Sequence, residues 1–275
     1  MDGHRLVLVN GVNLNVKTVG SGPTIVALHG FTSDMSTWTE FAAEAKNRYT
    51  VITPDLLGHG SSEAPNAVAR YQIEHTVIDV AAIIRGSGFQ QACWLGYSMG
   101  GRIALAAAAL IPDACSSLVI EGASPGLRSP NARARRQKKD EALANRILSE
   151  GIEKFTARWA EQPLFGSQKS LPIDIQERIR NQRLKSNPVG LANTLRAAGP
   201  GVQPPVHEFL PNIKIPALCI VGEYDHKFTS IARRMCSKLN DGRIEIIPGA
   251  GHAAHLEKPR EFNAAVFAFL EKICA

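Results

Sequence analysis

A serine flanked by glycines is the first feature of this chain that could do chemistry. The residues Gly96-Tyr97-Ser98-Met99-Gly100 fit the pattern G-x-S-x-G, between a strand-like run, ACWLG, and a helical run, MGGRIALAAAAL. In a strand–turn–helix setting, the glycines permit a strained turn that leaves the serine hydroxyl exposed. The pattern therefore predicts that Ser98 is reactive; the alternative is a plain glycine-rich turn.

A serine hydroxyl needs a neighbouring base, and a histidine near the end of the chain is the best candidate. His252 lies in PGAGHAAHLEKP, directly after the last apparent strand. The carboxyl ends of parallel strands meet at one edge of a sheet, so we expect this loop to lie beside the serine turn. His255 is the nearest alternative, whereas His29 and His59 lie in glycine-rich loops and are predicted to be structural or pocket-lining.

The histidine in turn needs a carboxylate that fixes its tautomer and stabilises its cation. Asp225, in IVGEYDHKF, follows a strand-like run and precedes a helical one, which gives the chain order Ser, Asp, His. Glu223 lies two residues earlier and stays open as an alternative. Asp55, in TPDLLGHGSS, comes too early in the chain and is predicted to order its own loop.

Two backbone N–H groups are candidates for an oxyanion hole, the pair of donors that stabilises negative charge developing on an oxygen. One belongs to Met99, the residue after the serine. The other is predicted at Phe31, in the loop after the strand-like run TIVALHG. We predict no cofactor and no metal, since the five cysteines are odd in number and match no metal-binding spacing.

The elements that must hold these residues alternate along the chain as strands and helices. An opening hairpin around Asn10-Gly11 is followed by six short apolar runs, which predict a buried parallel sheet. These runs are TIVALHG, YTVITPD, ACWLGYS, CSSLVIEGAS, IPALCIVGEYD and RIEIIPGAGH, and the helical candidates are 35–45, 72–86, 99–110, 229–239 and 260–272. This order predicts an α/β fold with a mostly parallel, doubly wound sheet.

The alternation stops between about 125 and 210, where helical patterns are separated by prolines. We therefore predict a core of residues 1–124 and 211–275, and an inserted helical cap of residues 125–210 that sits over the sheet. A length of 275 residues suits one large α/β domain with such an insertion.

The composition narrows the class of protein further. Hydrophobic residues make up 44% of the chain and charged residues 20%, as in ordinary globular proteins with a sizeable core. No apolar run is long enough to span a bilayer, and the opening MDGHRLVLVNG has no signal-peptide pattern, which predicts a cytoplasmic protein with no membrane partner. The net charge of +6 suits nucleic acid or an acidic small molecule, but no nucleic-acid recognition motif is present. No feature of the sequence predicts an oligomeric state.

These parts, in this order, resemble the α/β-hydrolase superfamily over nearly the full length of the chain. The resemblance is carried by the His-Gly pair at 29–30, the segment DLLGHGSS at 55–62, the serine turn and the loops of Asp225 and His252. The central region adds EGASPGL at 121–127, Arg133, Arg136, Asp140, Phe155, Trp159, Pro163-Leu164-Phe165, Arg183, Gly190-Leu191-Ala192, Gln203-Pro204 and Lys227-Phe228. With these residues the chain resembles the 2-succinyl-6-hydroxy-2,4-cyclohexadiene-1-carboxylate synthases of menaquinone biosynthesis.

The closer resemblance implies a lyase with a small polycarboxylate substrate. That substrate carries a succinyl ketone, a ring carboxylate and an enolpyruvyl ether. The serine, deprotonated through the histidine, is expected to remove the ring proton next to the succinyl ketone, and the oxyanion hole to hold the enolate oxygen. Pyruvate then leaves, and no acyl-enzyme is required.

A substrate with three carboxylates needs fixed positive charge, and arginine pairs with carboxylates through two hydrogen bonds. Arg102 lies four residues after the serine, one helical turn along, and is expected to face the same pocket. The resemblance implies that Arg136 and Arg183 are cap arginines that bind substrate, and that Tyr97 and Trp159 are pocket aromatics. Trp159 is equally open as plain cap core. Apart from Arg136, the basic residues between 128 and 139 are predicted to form a solvated helix face: Arg128, Arg133, Arg135, Lys138 and Lys139.

Three other functions stay open. A serine esterase, thioesterase or carbon–carbon hydrolase would use the same triad, although a neutral ester has no need of three arginines converging on the serine. A non-catalytic ligand receptor is disfavoured by the intact triad. Nucleic-acid binding is suggested only by the isoelectric point of about 9.2.

Overall fold

The computed structural model describes residues 3–274, which form an eight-stranded sheet. The strands are β1 (Gly3–Val9), β2 (Val12–Val19), β3 (Thr24–Leu28), β4 (Thr50–Pro54), β5 (Ala92–Tyr97), β6 (Cys115–Glu121), β7 (Ala217–Gly222) and β8 (Gly242–Ile247). They lie across the sheet in the order β1-β2-β4-β3-β5-β6-β7-β8. β2 runs antiparallel to both of its neighbours, and the other pairs are parallel. The mostly parallel sheet predicted from the sequence is confirmed.

Helices cover both faces of this sheet. They are α1 (Thr39–Ala45), α2 (Ile73–Gly86), α3 (Met99–Leu110), α4 (Pro130–Glu150), α5 (Ile152–Ala160), α6 (Ile173–Leu184), α7 (Pro188–Ala198), α8 (His226–Cys236), α9 (Ala254–Glu257) and α10 (Pro259–Cys274). Residues of α2, α3 and α8 form one apolar core with the sheet, and residues of α1 and α10 form a second core. Trp94 joins the first core and Leu95 the second, because successive side chains of a strand point to opposite faces. The fold is doubly wound, as predicted.

The helix predicted at 229–239 begins three residues earlier, at His226. Asp225 is the reason, because its side chain accepts a hydrogen bond from the N–H of Phe228 at 3.3 Å and so caps the first turn.

Between β6 and β7 the described chain contains helices and no strand. Helices α4 to α7 lie there, with a 3-10 segment at Pro163–Ser170 between α5 and α6. Their apolar residues form a third, smaller core, against which Phe31 of the β3 loop packs. α7 also meets the loop after β4 closely, since a Cβ on Gly190 would lie 2.1 Å from the carbonyl oxygen of Gly58. These helices are thus seated at the edge of the sheet where the strands β3, β4 and β5 end.

The limits of the predicted core and cap, 1–124 with 211–275 and 125–210, stay predictions, and residues 1–2 and 275 lie outside the described residues. None of the helices described is both long enough and apolar enough to cross a membrane.

Candidate active site

Ser98 lies in a tight turn between β5 and α3. Its backbone has φ +52° and ψ −102°, a left-handed conformation that is rare for a residue with a side chain. Glycines make the turn possible: a Cβ on Gly96 would lie 2.3 Å from the carbonyl carbon of Gly100, and one on Gly100 would lie 2.2 Å from the carbonyl oxygen of Leu28. The N–H of Ser98 donates to the carbonyl oxygen of Glu121 at 2.8 Å, which ties the turn to β6.

The imidazole of His252 lies between Ser98 and Asp225. Its Nε2 is 3.2 Å from Ser98 Oγ, and its Nδ1 is 2.6 Å from Asp225 Oδ2. Asp225 and His252 are both buried. A buried carboxylate that accepts from Nδ1–H leaves Nε2 free to accept the serine proton. The three side chains therefore have the geometry of a base-activated serine.

The alternative residues lie elsewhere. The Nδ1 of His255 is 2.8 Å from Glu121 Oε2, and its Nε2 is 2.8 Å from the hydroxyl of Thr37. Glu223 accepts a hydrogen bond from the N–H of Gly249 at 2.8 Å instead of contacting the histidine near the serine. Both residues thus support the loops around the site.

Asp55 also orders its own loop. Its carboxylate accepts hydrogen bonds from the N–H of Met35 at 2.8 Å, the N–H of Ser61 at 2.9 Å and the amide of Asn15 at 2.8 Å. Burial raises the pKa of Asp55, and these three hydrogen bonds oppose that rise. The Asp55 loop is thereby fastened to β2 and to the 3-10 turn that begins at Met35.

The loop after β3 places Phe31 on the wall of the cavity that holds Ser98. The carbonyl oxygen of Gly30 accepts from the Nδ1–H of His29 at 2.8 Å and from the N–H of Ser33 at 3.2 Å. The N–H of Phe31 belongs to the same trans peptide and points the opposite way. Neither this N–H nor that of Met99 donates to a protein group within residues 3–274. Both residues line the cavity that holds Ser98, so both donors are free for an oxygen of a ligand.

Two buried histidines, His29 and His59, support the loop after β3. His29 Nε2 accepts from the N–H of Leu56 at 3.0 Å, and His59 Nδ1 donates to the carbonyl oxygen of Leu57 at 3.1 Å. Burial lowers the pKa of His29, and burial together with the nearby His29 lowers the pKa of His59 to about 3. Both rings are therefore neutral near pH 7. They hold the loop and do not reach the serine.

A cavity of about 480 Å³ opens above Ser98 and His252. Its walls come from the strand-end loops and α3, from α8, and from the helical region between β6 and β7. Among residues 3–274, no aspartate or glutamate lines it, whereas six cationic side chains do: Arg102, Arg128, Arg136, Lys227, Arg234 and Lys238. A cavity with this charge distribution selects an anionic ligand.

Arg102 and Arg136 form the inner part of this positive charge. Arg102 is buried, and its Nη1 donates to the carbonyl oxygen of Ala198 at 2.8 Å and to Gln203 Oε1. Burial, with the nearby Arg136, lowers the pKa of Arg102 to about 10, so it stays charged at neutral pH. Arg136 Nε donates to Asp140 Oδ1 at 2.8 Å, which fixes the direction of its guanidinium.

Arg183 does not share the cavity with Ser98, which differs from the expectation that three arginines converge there. It lines a neighbouring cavity of about 260 Å³, and Phe165 lines both. Its guanidinium carbon lies 4.7 Å from the centre of the Phe165 ring, and its Nη2 donates to Gln168 Oε1 at 3.2 Å. The 3-10 segment that carries Phe165 and Gln168 thus holds Arg183 behind the aromatic ring.

The two predicted aromatics both line the cavity. The Tyr97 ring lies 5.4 Å from that of His252, and burial, with the nearby Glu121, raises the pKa of Tyr97 well above its usual value. Trp159 packs edge-on against Phe31 with ring centres 5.5 Å apart, so it serves the third core as well as the cavity wall. Trp159 therefore lies both against the third core and on the cavity wall, and its role in binding stays a prediction.

Sequence reasoning missed the outer cationic residues of the cavity. It assigned Arg128 to a solvated face, and the Arg128 side chain is indeed 55% exposed, but this residue also lines the cavity. It gave no role to Arg234 or Lys238, although their spacing with Lys227 was a usable signal: Lys227 and Arg234 are seven residues apart on α8, and Lys238 follows four residues later, just beyond its end. No group of histidine, cysteine, aspartate or glutamate side chains in the described part of the chain could hold a metal ion.

The chain belongs to the α/β-hydrolase family, whose model matches residues 23–259. A protein of Bacillus subtilis (strain 168), which carries the provisional name 2-succinyl-6-hydroxy-2,4-cyclohexadiene-1-carboxylate synthase, is 40% identical over 271 residues, 98% of each chain.

Two solved structures extend the comparison. MenH from S. aureus matches with a TM-score of 0.90 at 33% identity, with both chains covered completely. A thermophilic esterase from Thermogutta terrifontis, in a malate-bound structure, matches with a TM-score of 0.88 at 25% identity, covering 98% of this chain and 99% of its own.

Proposed function

We propose that this protein is a carbon–oxygen lyase that eliminates pyruvate from an enolpyruvyl-cyclohexene carboxylate and forms 2-succinyl-6-hydroxy-2,4-cyclohexadiene-1-carboxylate. The observation that carries the proposal is the cavity above Ser98, which is lined by six cationic residues and by no acidic residue of the described part of the chain. The substrate has three carboxylates, and such a cavity suits it far better than it suits a neutral ester. The provisional name of the Bacillus subtilis relative supports the same substrate.

The proposed catalytic residues are Ser98, His252 and Asp225. His252 Nε2 accepts the proton of Ser98 Oγ, across the 3.2 Å that separates the two atoms. The Ser98 oxygen then takes the ring proton next to the succinyl ketone, and the electron pair moves into the ketone to give an enolate. Asp225, 2.6 Å from His252 Nδ1, stabilises the imidazolium that forms.

The enolate oxygen accepts hydrogen bonds from the N–H groups of Phe31 and Met99, the proposed oxyanion hole. As the enolate collapses, the bond from the ring carbon to the enolpyruvyl oxygen breaks. The ring proton that Ser98 has taken restores its hydroxyl, and the imidazolium of His252 gives its proton to the departing enolpyruvyl group, which leaves as pyruvate. The ring is left with a conjugated diene, and the serine forms no covalent bond to the substrate.

Binding of the carboxylates is assigned to the cationic residues. Arg102 and Arg136 act within the cavity itself, with Tyr97 and Trp159 against the ring. Arg183 is a buried cation whose nearest polar partner is the neutral amide of Gln168, and it contributes charge from behind Phe165. A cytoplasmic location belongs to the same proposal, because a molecule with three negative charges does not cross a bilayer unaided.

The test is turnover of the enolpyruvyl substrate by the purified protein. Pyruvate release is followed with a coupled dehydrogenase, and formation of the conjugated diene by its absorbance. We expect both signals with the wild type and neither with Ser98→Ala. A panel of p-nitrophenyl esters is run beside it; ester turnover without pyruvate release would reject the lyase.

A serine hydrolase is the second candidate, because the similar Thermogutta terrifontis protein is an esterase. The two reactions differ in whether Ser98 becomes acylated. Mass spectrometry of protein quenched during turnover of the enolpyruvyl substrate should show unmodified Ser98. An adduct on this serine would favour the hydrolase.

A further inference from the structure

We propose that one face of α8, together with Arg128, forms an anion subsite at the mouth of the cavity. The subsite takes the carboxylate of the substrate that lies farthest from the reacting carbon, and it draws the polyanion in from solvent. This inference rests on the proposed polycarboxylate substrate. It adds a site to the inner arginines, Arg102 and Arg136.

The cationic face of α8 is set by helical spacing. Lys227, Ile231, Arg234 and Lys238 are four, three and four residues apart, so they follow one side of the helix and its C-terminal extension, and all four line the cavity. Arg233 lies between them in sequence but points elsewhere, since it is exposed and does not line the cavity. The positive charge is thus directed at the cavity rather than spread around the helix.

Arg128 lines the same cavity as these residues of α8. Its charge and that of Lys238 both act on the imidazole of His207, whose pKa is lowered first by partial burial and then by these two cations. Arg128 pairs with Glu208 at 3.1 Å, but 55% of the Arg128 side chain and 86% of the Glu208 side chain are exposed. A pair this exposed is weak in water, so an incoming carboxylate can replace Glu208.

The α8 cations, namely the cavity-lining residues Lys227, Arg234 and Lys238, are not neutralised by other side chains of the protein. Within residues 3–274, Lys227, Arg234 and Lys238 form no ion pair. Arg234 Nη1 donates to Ser230 Oγ at 2.8 Å, and Lys227 Nζ lies 5.1 Å from the centre of the Phe228 ring. Unpaired cations beside a concave, partly apolar wall raise the local concentration of an anion and its rate of association.

The position of this subsite separates its role from that of the inner arginines. The cations of α8 are exposed and do not contact Ser98 or His252, so they bind the ground state and the transition state about equally. Loss of such uniform binding raises KM and leaves kcat nearly unchanged. The contribution of exposed charges also falls as salt is added, because the screening length is about 10 Å at 0.1 M salt.

The test compares two triple variants with the same change in net charge. The first, Lys227→Gln/Arg234→Gln/Lys238→Gln, removes the three cations of α8 and its C-terminal extension that line the cavity. The control, Arg233→Gln/Arg260→Gln/Lys272→Gln, removes three exposed cations that do not line the cavity. Circular dichroism and thermal unfolding establish that both variants are folded.

The first measurement is the affinity for tricarballylate, an unreactive tricarboxylate, by titration calorimetry at low and high salt. We expect the α8 variant to bind it about tenfold more weakly than the wild type at low salt, with a smaller salt dependence, and the control to stay within about twofold. The proposal is overturned if the two variants bind alike, or if the wild type does not bind tricarballylate at low salt.

The second measurement is steady-state pyruvate release. The α8 variant should lose about tenfold in kcat/KM through KM, with kcat within about twofold of the wild type. A loss confined to kcat would overturn the proposal. If the wild type released no pyruvate yet bound tricarballylate through α8, the lyase would be rejected and the anion subsite would stand.

Discussion

The loops at the strand ends and the helical region over them hold their functional side chains in different ways. At the strand ends, Ser98 is fixed by backbone sterics, since the turn has no room for a Cβ on Gly96 or Gly100. In the helical region, Arg183 is held by one hydrogen bond to an amide and by an aromatic ring. The difference indicates that the residues that transfer protons are held rigidly, whereas the substrate-binding side chains of the helical region can change position more easily.

The His252 loop shows how far this fixation extends. Glu257 accepts hydrogen bonds from the N–H of Gly251 at 2.7 Å and from the N–H of Ala253 at 3.2 Å, the two residues that flank His252. Glu121 accepts from the N–H of His255 at 3.0 Å, and its own carbonyl oxygen accepts from the N–H of Ser98. One residue of β6 therefore connects the serine turn to the histidine loop.

The largest effect that should separate the two regions is loss of the serine. Ser98→Ala is expected to reduce kcat for pyruvate release by about 10⁴-fold or more, because the group that transfers the proton is removed. Adding His252→Ala should cost little more, since the two act as a unit. Steady-state kinetics of the single and double variants check this. A single variant with near-normal turnover would contradict the assignment of the whole site.

A smaller but still large effect is expected from one methyl group. Gly100→Ala places a Cβ 2.2 Å from the carbonyl oxygen of Leu28 and should destabilise the fold by about 3 kcal/mol or more, because backbone must move. The matched substitution in the helical region is Gly166→Ala, because a Cβ at this position would have no neighbour within 4 Å. The free energy of unfolding of this variant should stay within about 0.5 kcal/mol of the wild type. Urea unfolding of both variants is the measurement. Equal losses of stability would remove the contrast between the two regions.

The same contrast explains what could be predicted from the sequence. The eight strands, the order of Ser98, Asp225 and His252, and the glycine turn all depend on short segments whose position follows from strand ends meeting at one edge. The start of α8 was missed by three residues because Asp225 both caps that helix and contacts His252. Residue type alone did not reveal that double use.

The positions of Arg183 and Arg128 could not be predicted from the sequence by the same reasoning. Arg183 lies in a second cavity because the 3-10 segment Pro163–Ser170 places Phe165 against its guanidinium. Arg128 lies at the cavity mouth, where it approaches His207. Both positions depend on contacts between segments distant in sequence, and a single sequence contains no periodic pattern that specifies them.

Loss of Arg102, one of the two inner arginines, should have an intermediate effect on catalysis. Arg102→Ala is expected to lower kcat/KM for the tricarboxylate substrate by about ten- to hundredfold, equivalent to about 1.5–3 kcal/mol for a lost charge-assisted pair. Arg102→Lys should recover only part of this, because an ammonium group lacks the planar fork of donors. The control is Arg135→Ala, an exposed residue of α4 that does not line the cavity.

That prediction is checked by steady-state kinetics on the acidic substrate and on a small neutral ester. Activity on the ester should change little in Arg102→Ala, since no carboxylate is bound. If Arg102→Ala and Arg135→Ala gave the same kcat/KM on the acidic substrate, Arg102 would have no part in binding it, and the lyase proposal would lose its main support.

The smallest expected effect concerns the pH dependence of stability and compares a histidine beneath the β3 loop with one at the cavity mouth. The pKa of His59 is lowered to about 3 in the fold, against about 6.5 in an unfolded chain. Between these values the unfolded chain binds more protons than the fold, so acidification favours unfolding. The free energy of unfolding should fall by about 2 kcal/mol between pH 7.5 and pH 5 on account of His59, at about 1.4 kcal/mol per pH unit below 6.5.

Urea unfolding across this pH range measures the slope of stability against pH. His59→Gln should flatten it, whereas His207→Gln, at the partly exposed mouth, should leave most of it in place. If His59→Gln kept the full slope, acid sensitivity would have to come from other buried groups, and His59 would not be the neutral support that the geometry of the β3 loop requires.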